Sequence, residues 1–219
     1  MFFMTMATTV AWLVGLRSAS PSAADTLRVA QLATLPVLDG RVDGREYGNA
    51  ALGLVTAVGK VRIWLGQYDD FVYIAADLPD STFYWGDDFV VSLDPAGSGG
   101  ASLTAGSRQW YLRRLLDSSV VSTAEAGRWT SPSHKPAALG STRHHADWDV
   151  ASSSSPTGWM VELRIRVAVV KTSAAAPRLA FRTYNDRPRG WWSWPVPPVG
   201  LPPQRVERTP NLWIPIRLL

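Results

Sequence analysis

The segment GWMVELRIRV, Gly158 to Val167, constrains the fold of this chain more than any other stretch. Trp159, Val161, Leu163, Ile165 and Val167 fall on one side of a two-residue period, and Met160, Glu162, Arg164 and Arg166 fall on the other. That is the side-chain period of an extended strand, and an apolar side backed by a polar side describes a strand between a core and water. On that reading the simplest partner for Glu162 is one of the arginines beside it.

The same period returns along most of the chain. KVRIWLG puts Val61, Ile63 and Leu65 opposite Arg62 and Trp64; after the turn QYDD, the strand FVYIAADLP completes a hairpin. DDFVVSLDP, RQWYLRRLLDSSVV, RLAFRTYND and NLWIPIRLL supply further strands, and Pro215 confines the last one to an edge or a bulge. Only REYGNAALGL offers a helical signal, for one or two turns. GRWTSPSHKPAALGSTRHHADWDVASSSSPTG, residues 127 to 158, reads as a long irregular connection. Short strands separated by Gly, Pro, Ser and Asp turns imply an all-β, antiparallel β-sandwich, and 219 residues suit one domain.

The first 24 residues stand apart. MFFMTMATTVAWLVGL is an uncharged apolar run followed by Arg17 and small residues, with Ser22 and Ala24 at −3 and −1 of a cleavage site before Asp25. The run is shorter than the roughly 20 residues of a membrane span. The expectation is a signal peptide at 1–24, a mature domain at 25–219 without a transmembrane span, and a secreted or periplasmic location.

Composition removes several functions. Without cysteine there is neither a disulfide nor a thiolate metal site. The net charge of +4 is carried mostly by arginine, since lysine stands only at 60, 135 and 171, and no basic run exceeds a pair. That pattern gives no nucleic-acid footprint. No GxSxG elbow is present, and no pair of carboxylates is spaced for glycoside hydrolysis, so no catalytic residue is assigned. His144 and His145 are sequence neighbours, which point to opposite faces of a strand and make a poor metal pair. Asp69 and Asp70 read as turn residues. Asp87, Asp88 and Asp94 read as turn residues too, with structural calcium at Asp87 and Asp94 as the other reading.

The tryptophans remain. Eleven occur, and three of them, Trp191, Trp192 and Trp194, crowd RPRGWWSWPVPP, where Pro and Gly predict a loop. Trp85 stands at a strand mouth in STFYWGDD. Exposed indoles suit the apolar faces of sugar rings, with nearby Arg, Asp and Asn bonding the hydroxyls; indoles folded back over one end of the sandwich are the other reading.

The order of segments resembles family 9 carbohydrate-binding modules. PVLDGRVDGREYGNA is similar to their xIDGxxDxxxW opening, FVYIAADLPD to LYVxxxVxD, YWGDDFVVSLDP to W-x-x-D-x-V-E-x-x-x-D, and GWMVELRIRV to GYxxEMxIP. RLAFRTYND, a tryptophan-bearing segment and NLWIPIRLL resemble the last two strands. The resemblance implies a non-catalytic β-sandwich of carbohydrate-binding-module type, without a cofactor apart from structural calcium, that clamps a sugar between two tryptophans. Trp85 would be one ring and Trp191, Trp192 or Trp194 the other; Arg113 or Arg114 would donate to sugar hydroxyls, and Asp88, Asn185 and Asp186 would line the mouth. The sequence departs from the family at Val91, where a sugar-holding Glu is usual, and at Tyr47, where Trp is usual. These departures point to a ligand other than the family's own. The alternative is a cell-envelope domain whose Trp/Arg loop docks a protein partner or a membrane interface.

Overall fold

The alternation seen in the sequence becomes fifteen strands in a computed structural model, which describes residues 26–115, 119–130 and 146–219, and the backbone alone of 142–144. The expected signal peptide, His145 and residues 131–141 lie outside the described residues. In chain order the strands are β1 (Leu27–Arg28), β2 (Ala30–Gln31), β3 (Leu52–Thr56), β4 (Gly59–Tyr68), β5 (Phe71–Pro79), β6 (Asp88–Asp94), β7 (Arg108–Arg113), β8 (Val120–Glu125), β9 (Arg128–Thr130), β10 (Thr142–His144), β11 (Trp148–Ser155), β12 (Gly158–Arg166), β13 (Arg178–Asp186), β14 (Arg189–Trp194) and β15 (Ile214–Arg217). The helical signal shrinks to one turn, α1 (Gly44–Tyr47), capped by the Asp43 side chain; a second single turn, α2 (Val167–Val170), follows β12.

The strands form two sheets. One runs β1-β15-β13-β6-β7-β8-β9, with β14 also on β13; the other runs β10-β11-β12-β5-β4-β2, with β3 also on β4. Pairing is antiparallel except for the short β1–β15 and β2–β4 contacts. The sheets face each other across one core. Val61, Ile63, Leu65, Ile74, Val161, Leu163 and Ile165 come from one side; Phe89, Val91, Leu93, Trp110, Leu112 and Phe181 come from the other. Burying each such side chain contributes roughly 1.5–3 kcal/mol.

Both outer faces are partly covered. The segment ahead of β3 lies on the β4–β5 face, where Leu32 and Tyr47 pack on Trp64 and Tyr73. On the other sheet a 3-10 segment, Pro203–Arg208, brings Val206 onto Ala180 and Ala124, while Trp213 stacks on Trp129 with centroids 6.4 Å apart.

Three expectations are corrected and one is narrowed. The stretch 127–158 is not one irregular connection: β9, β10 and β11 lie in it, and β11 pairs with β12 from Trp148↔Ile165 to Ser155↔Gly158. A serine run has no hydrophobic period, and it is the strong neighbour β12 that draws it into the sheet. The Pro215 strand is an edge only over its first half: β13 pairs with Ile214 and Pro215 on one side, and β1 covers the other side at Ile216 and Arg217 alone. Glu162 makes no ion pair with the arginines beside it. It accepts the amides of Asp39 and Gly40 at 3.0 and 2.6 Å and the Tyr47 hydroxyl at 2.7 Å, and so anchors the N-terminal cover. Arg164 pairs with Asp149 on β11 instead. The Trp191–Trp194 segment is a strand, not a loop: β14 closes a two-residue hairpin on β13, Asp186↔Arg189 to Phe181↔Trp194.

Candidate functional site

In β13 the apolar residues Leu179 and Phe181 point into the core, which sends Arg182, Tyr184 and Asp186 to the outer face. Residues in register across a sheet share a face. Tyr184 pairs with Trp191 on β14 and with Asp88 on β6, and Asp88 pairs with Arg113 on β7. Trp191, Tyr184, Asp88 and Arg113 therefore form one row across four strands of the outer face, spanning three interstrand spacings, roughly 14 Å.

Aromatic rings occupy both ends of the row. Trp191 is 38% exposed and leans on Tyr184, with centroids 4.8 Å apart. At the other end the Arg113 guanidinium lies over the Trp85 ring at 4.9 Å and over Tyr111 at 5.3 Å. Trp85 is 59% exposed and is flanked by Tyr84.

The middle of the row is polar and tightly held. The buried Asp88 carboxylate accepts the Tyr111 hydroxyl at 2.6 Å and lies 3.2 Å from Nη1 of Arg182. Arg182 also donates to Glu207 at 2.8 Å, where the 3-10 cover meets the row. Burial pushes the Asp88 carboxyl up, against the pull of Arg182 and Tyr111. Burial and the Asp88 charge push the Tyr111 hydroxyl up to about 12.

Strand alternation divides the three indoles. Trp194 points inward and is buried against Phe181, with centroids 5.8 Å apart. Trp192, on the same side of β14, folds back over Gly190, where even a methyl group would lie 2.6 Å from its ring. Trp191 alone of the three projects from the outer face.

Of the remaining sequence candidates, Arg114, Asn185 and Asp87 are buried. The Arg114 guanidinium donates to the carbonyls of Thr82, Ser155 and Gly158. The Asn185 amide donates to Asp80 at 2.7 Å, and both residues are buried. Asp87 accepts the Tyr84 amide at 3.0 Å, and its carboxyl is pushed up to about 6 by burial, with the Asp80 charge adding. Together Asp80, Asp87, Arg114 and Asn185 bolt down both ends of the loop that carries Phe83 and Trp85. Asp186 stands at the hairpin turn between two loose arginine partners, Arg187 at 3.6 Å and Arg189 at 3.7 Å.

Two expectations meet a geometric limit. Asp87 and Asp94 stand at opposite ends of β6, about 23 Å apart by strand rise, so they cannot share one calcium ion. Both Asp94 oxygens are engaged by its own turn, through Ala96, Ser98 and Gly99, and no three metal-ligating side chains converge among the described residues. Val91 points into the core, on the face of β6 opposite Asp88, so a carboxylate there would not reach the row.

Sequence reading missed Tyr111, Arg182, Tyr184 and Glu207. The first three alternate with core residues of β7 and β13, so the phase of those strands marks them as outward-facing. Nothing local marks Glu207.

Among the described residues no helix is long and apolar enough to cross a membrane. No protein-family model matches the sequence, and no curated protein matches it significantly. Solved structures do. A carbohydrate binding module family 9 from Caldicellulosiruptor kristjanssonii in complex with glucose superposes with a TM-score of 0.56 at 14% identity, covering 88% of this chain and 96% of that one. A structure of such a module from the same organism with cellotriose gives 0.53 at 15% identity, covering 87% and 93%. The chain has the β-sandwich fold of these modules.

Proposed function

We propose that the protein is an exported, non-catalytic carbohydrate-binding domain that holds its ligand along the outer row between Trp85 and Trp191. One observation carries this reading: two exposed indoles stand at the ends of a polar row on a sheet face. Sugars present apolar ring faces edged with hydroxyls, and rings flanking a hydrogen-bonding centre match that alternation. The sheet and the pinned 80–87 loop hold the groups in place before a ligand arrives, which limits the ordering cost of binding. The structures sharing the fold carry glucose and cellotriose, which supports the assignment. The carboxylates at the row, Asp88 and Glu207, are engaged by Arg182, as in a binding platform and unlike an acid–base pair.

Affinity electrophoresis through polysaccharide-containing gels, preceded by a glycan-array screen, tests the proposal. Trp85→Ala and Trp191→Ala are each expected to abolish retention while leaving the fold intact. Unchanged retention in both variants would sink it. A docking surface for a protein or membrane has one observation in its favour, the exposure of Phe83 in the loop that carries Trp85. An array without a single glycan hit assigns the surface to that reading.

A further inference from the structure

The charge around the row is unequal. Its carboxylates are withdrawn: Asp88 is buried, and Glu207 and Asp186 have side chains 14% and 15% exposed. The guanidinium groups at its hairpin end project into solvent, with side chains 80% exposed for Arg187 and 73% for Arg189. Among the described residues Asp186 is the one carboxylate beside both of them, at distances too long for hydrogen bonds. Arg189 shares the outer face with Trp191 two residues along β14, so their Cα atoms are about 7 Å apart. At the far end Arg113 is only partly buried and lies over Trp85. Each exposed indole thus has an arginine beside it.

A neutral glycan offers these guanidinium groups hydroxyls to bond but no charge to balance them. A guanidinium presents a planar fork of donors that matches a carboxylate in pairs, and such charge-assisted bonds are the stronger kind. We propose that the ligand is an acidic polysaccharide, whose ring faces rest on Trp85 and Trp191 while its carboxylates are met by Arg189 and Arg187 at one end and Arg113 at the other. This rests on the carbohydrate reading above and narrows its ligand class.

The test is affinity electrophoresis of the full-length chain in gels containing polygalacturonate, alginate, hydroxyethylcellulose or dextran sulfate, at low salt and at roughly 0.3 M salt. The expected result is retention by one of the two polyuronates that weakens with salt and falls roughly tenfold or more in the exposed double variant R187A/R189A. Trp85→Ala and Trp191→Ala should abolish it. Retention by hydroxyethylcellulose alone, unaffected by R187A/R189A, overturns the acidic ligand and leaves the carbohydrate reading standing. Retention by every polyanion, including dextran sulfate, that survives loss of the tryptophans also overturns it, since charge alone would then account for binding. Failure of all four polymers together with an empty glycan array overturns both readings.

Discussion

Glu162 carries a carboxylate with no exposed surface, and it is held by two backbone amides and a tyrosine hydroxyl. Burial pushes its carboxyl from 4.5 up to about 7, against those hydrogen bonds. A carboxyl raised on folding binds protons more tightly in the native state, so its contribution to stability is full below about 4.5 and is lost as pH rises through about 7. Glu162→Gln removes that titration. Thermal melts from pH 4.5 to 8 should therefore show the wild type losing, relative to the Gln variant, on the order of 3 kcal/mol. Parallel curves would show that Glu162 does not titrate in this window. The same residue explains a motif. Gly40 has φ +80, and a Cβ there would meet the Ser152 backbone at 2.3 Å, so the LDG turn reaches the carboxylate only with glycine. Tyr47, at the place where the resembling family has Trp, supplies the hydroxyl.

At the scale of elements, β14 separates a core indole from an exposed one by alternation. Trp194 fills the core beside Phe181, and truncation of a buried aromatic costs about 3–5 kcal/mol. Trp191→Ala should cost under about 1 kcal/mol, as surface changes do, yet remove ligand retention. Denaturant melts set beside affinity gels check this: a core-sized loss of stability in the Trp191 variant would contradict the assignment of faces. This is also where sequence legibility divides. The phase of β12 can be read directly, because apolar and polar residues alternate from Val161 to Arg166, whereas the apolar triples IWL in β4 and FVV in β6 blur the phase of those strands. Asp88, Arg113 and Trp191 came from segment order and fall on one face, and Trp85 meets them from its loop through Arg113. Arg114 and Asn185 were named beside true outer-face neighbours, but one step along a strand reverses the side chain, and both turn inward. Tyr111 and Arg182 gain their place from partners on other strands, and that register is not written in either local segment. β11 escaped notice because serines mark no face of their own.

On the scale of the whole molecule, the row proposed to hold the ligand belongs to one sheet, but its support crosses to the other. Arg114, just past the end of β7, donates to the carbonyls of Ser155 and Gly158 at the β11–β12 turn and to Thr82 beneath the Trp85 loop. Its guanidinium also stands 3.7 Å from Asp87. One buried side chain therefore joins the two sheets and the loop that presents an indole. A lysine has the charge but lacks the fork, and a single ammonium cannot reach three carbonyls in different directions. Arg114→Lys should thus leave buried carbonyls and Asp87 under-bonded and lower the unfolding free energy by about 3 kcal/mol. It should also weaken retention on the Trp85-dependent polysaccharide even where the protein remains folded, because the loop loses its anchor. Equilibrium unfolding with an unchanged denaturant slope, together with affinity gels well below the melting temperature, separates the two effects. Lower stability with wild-type retention would mean that the sheet junction and the ring platform are independent. Loss of both places Arg114 as a positioning residue for a site it does not touch.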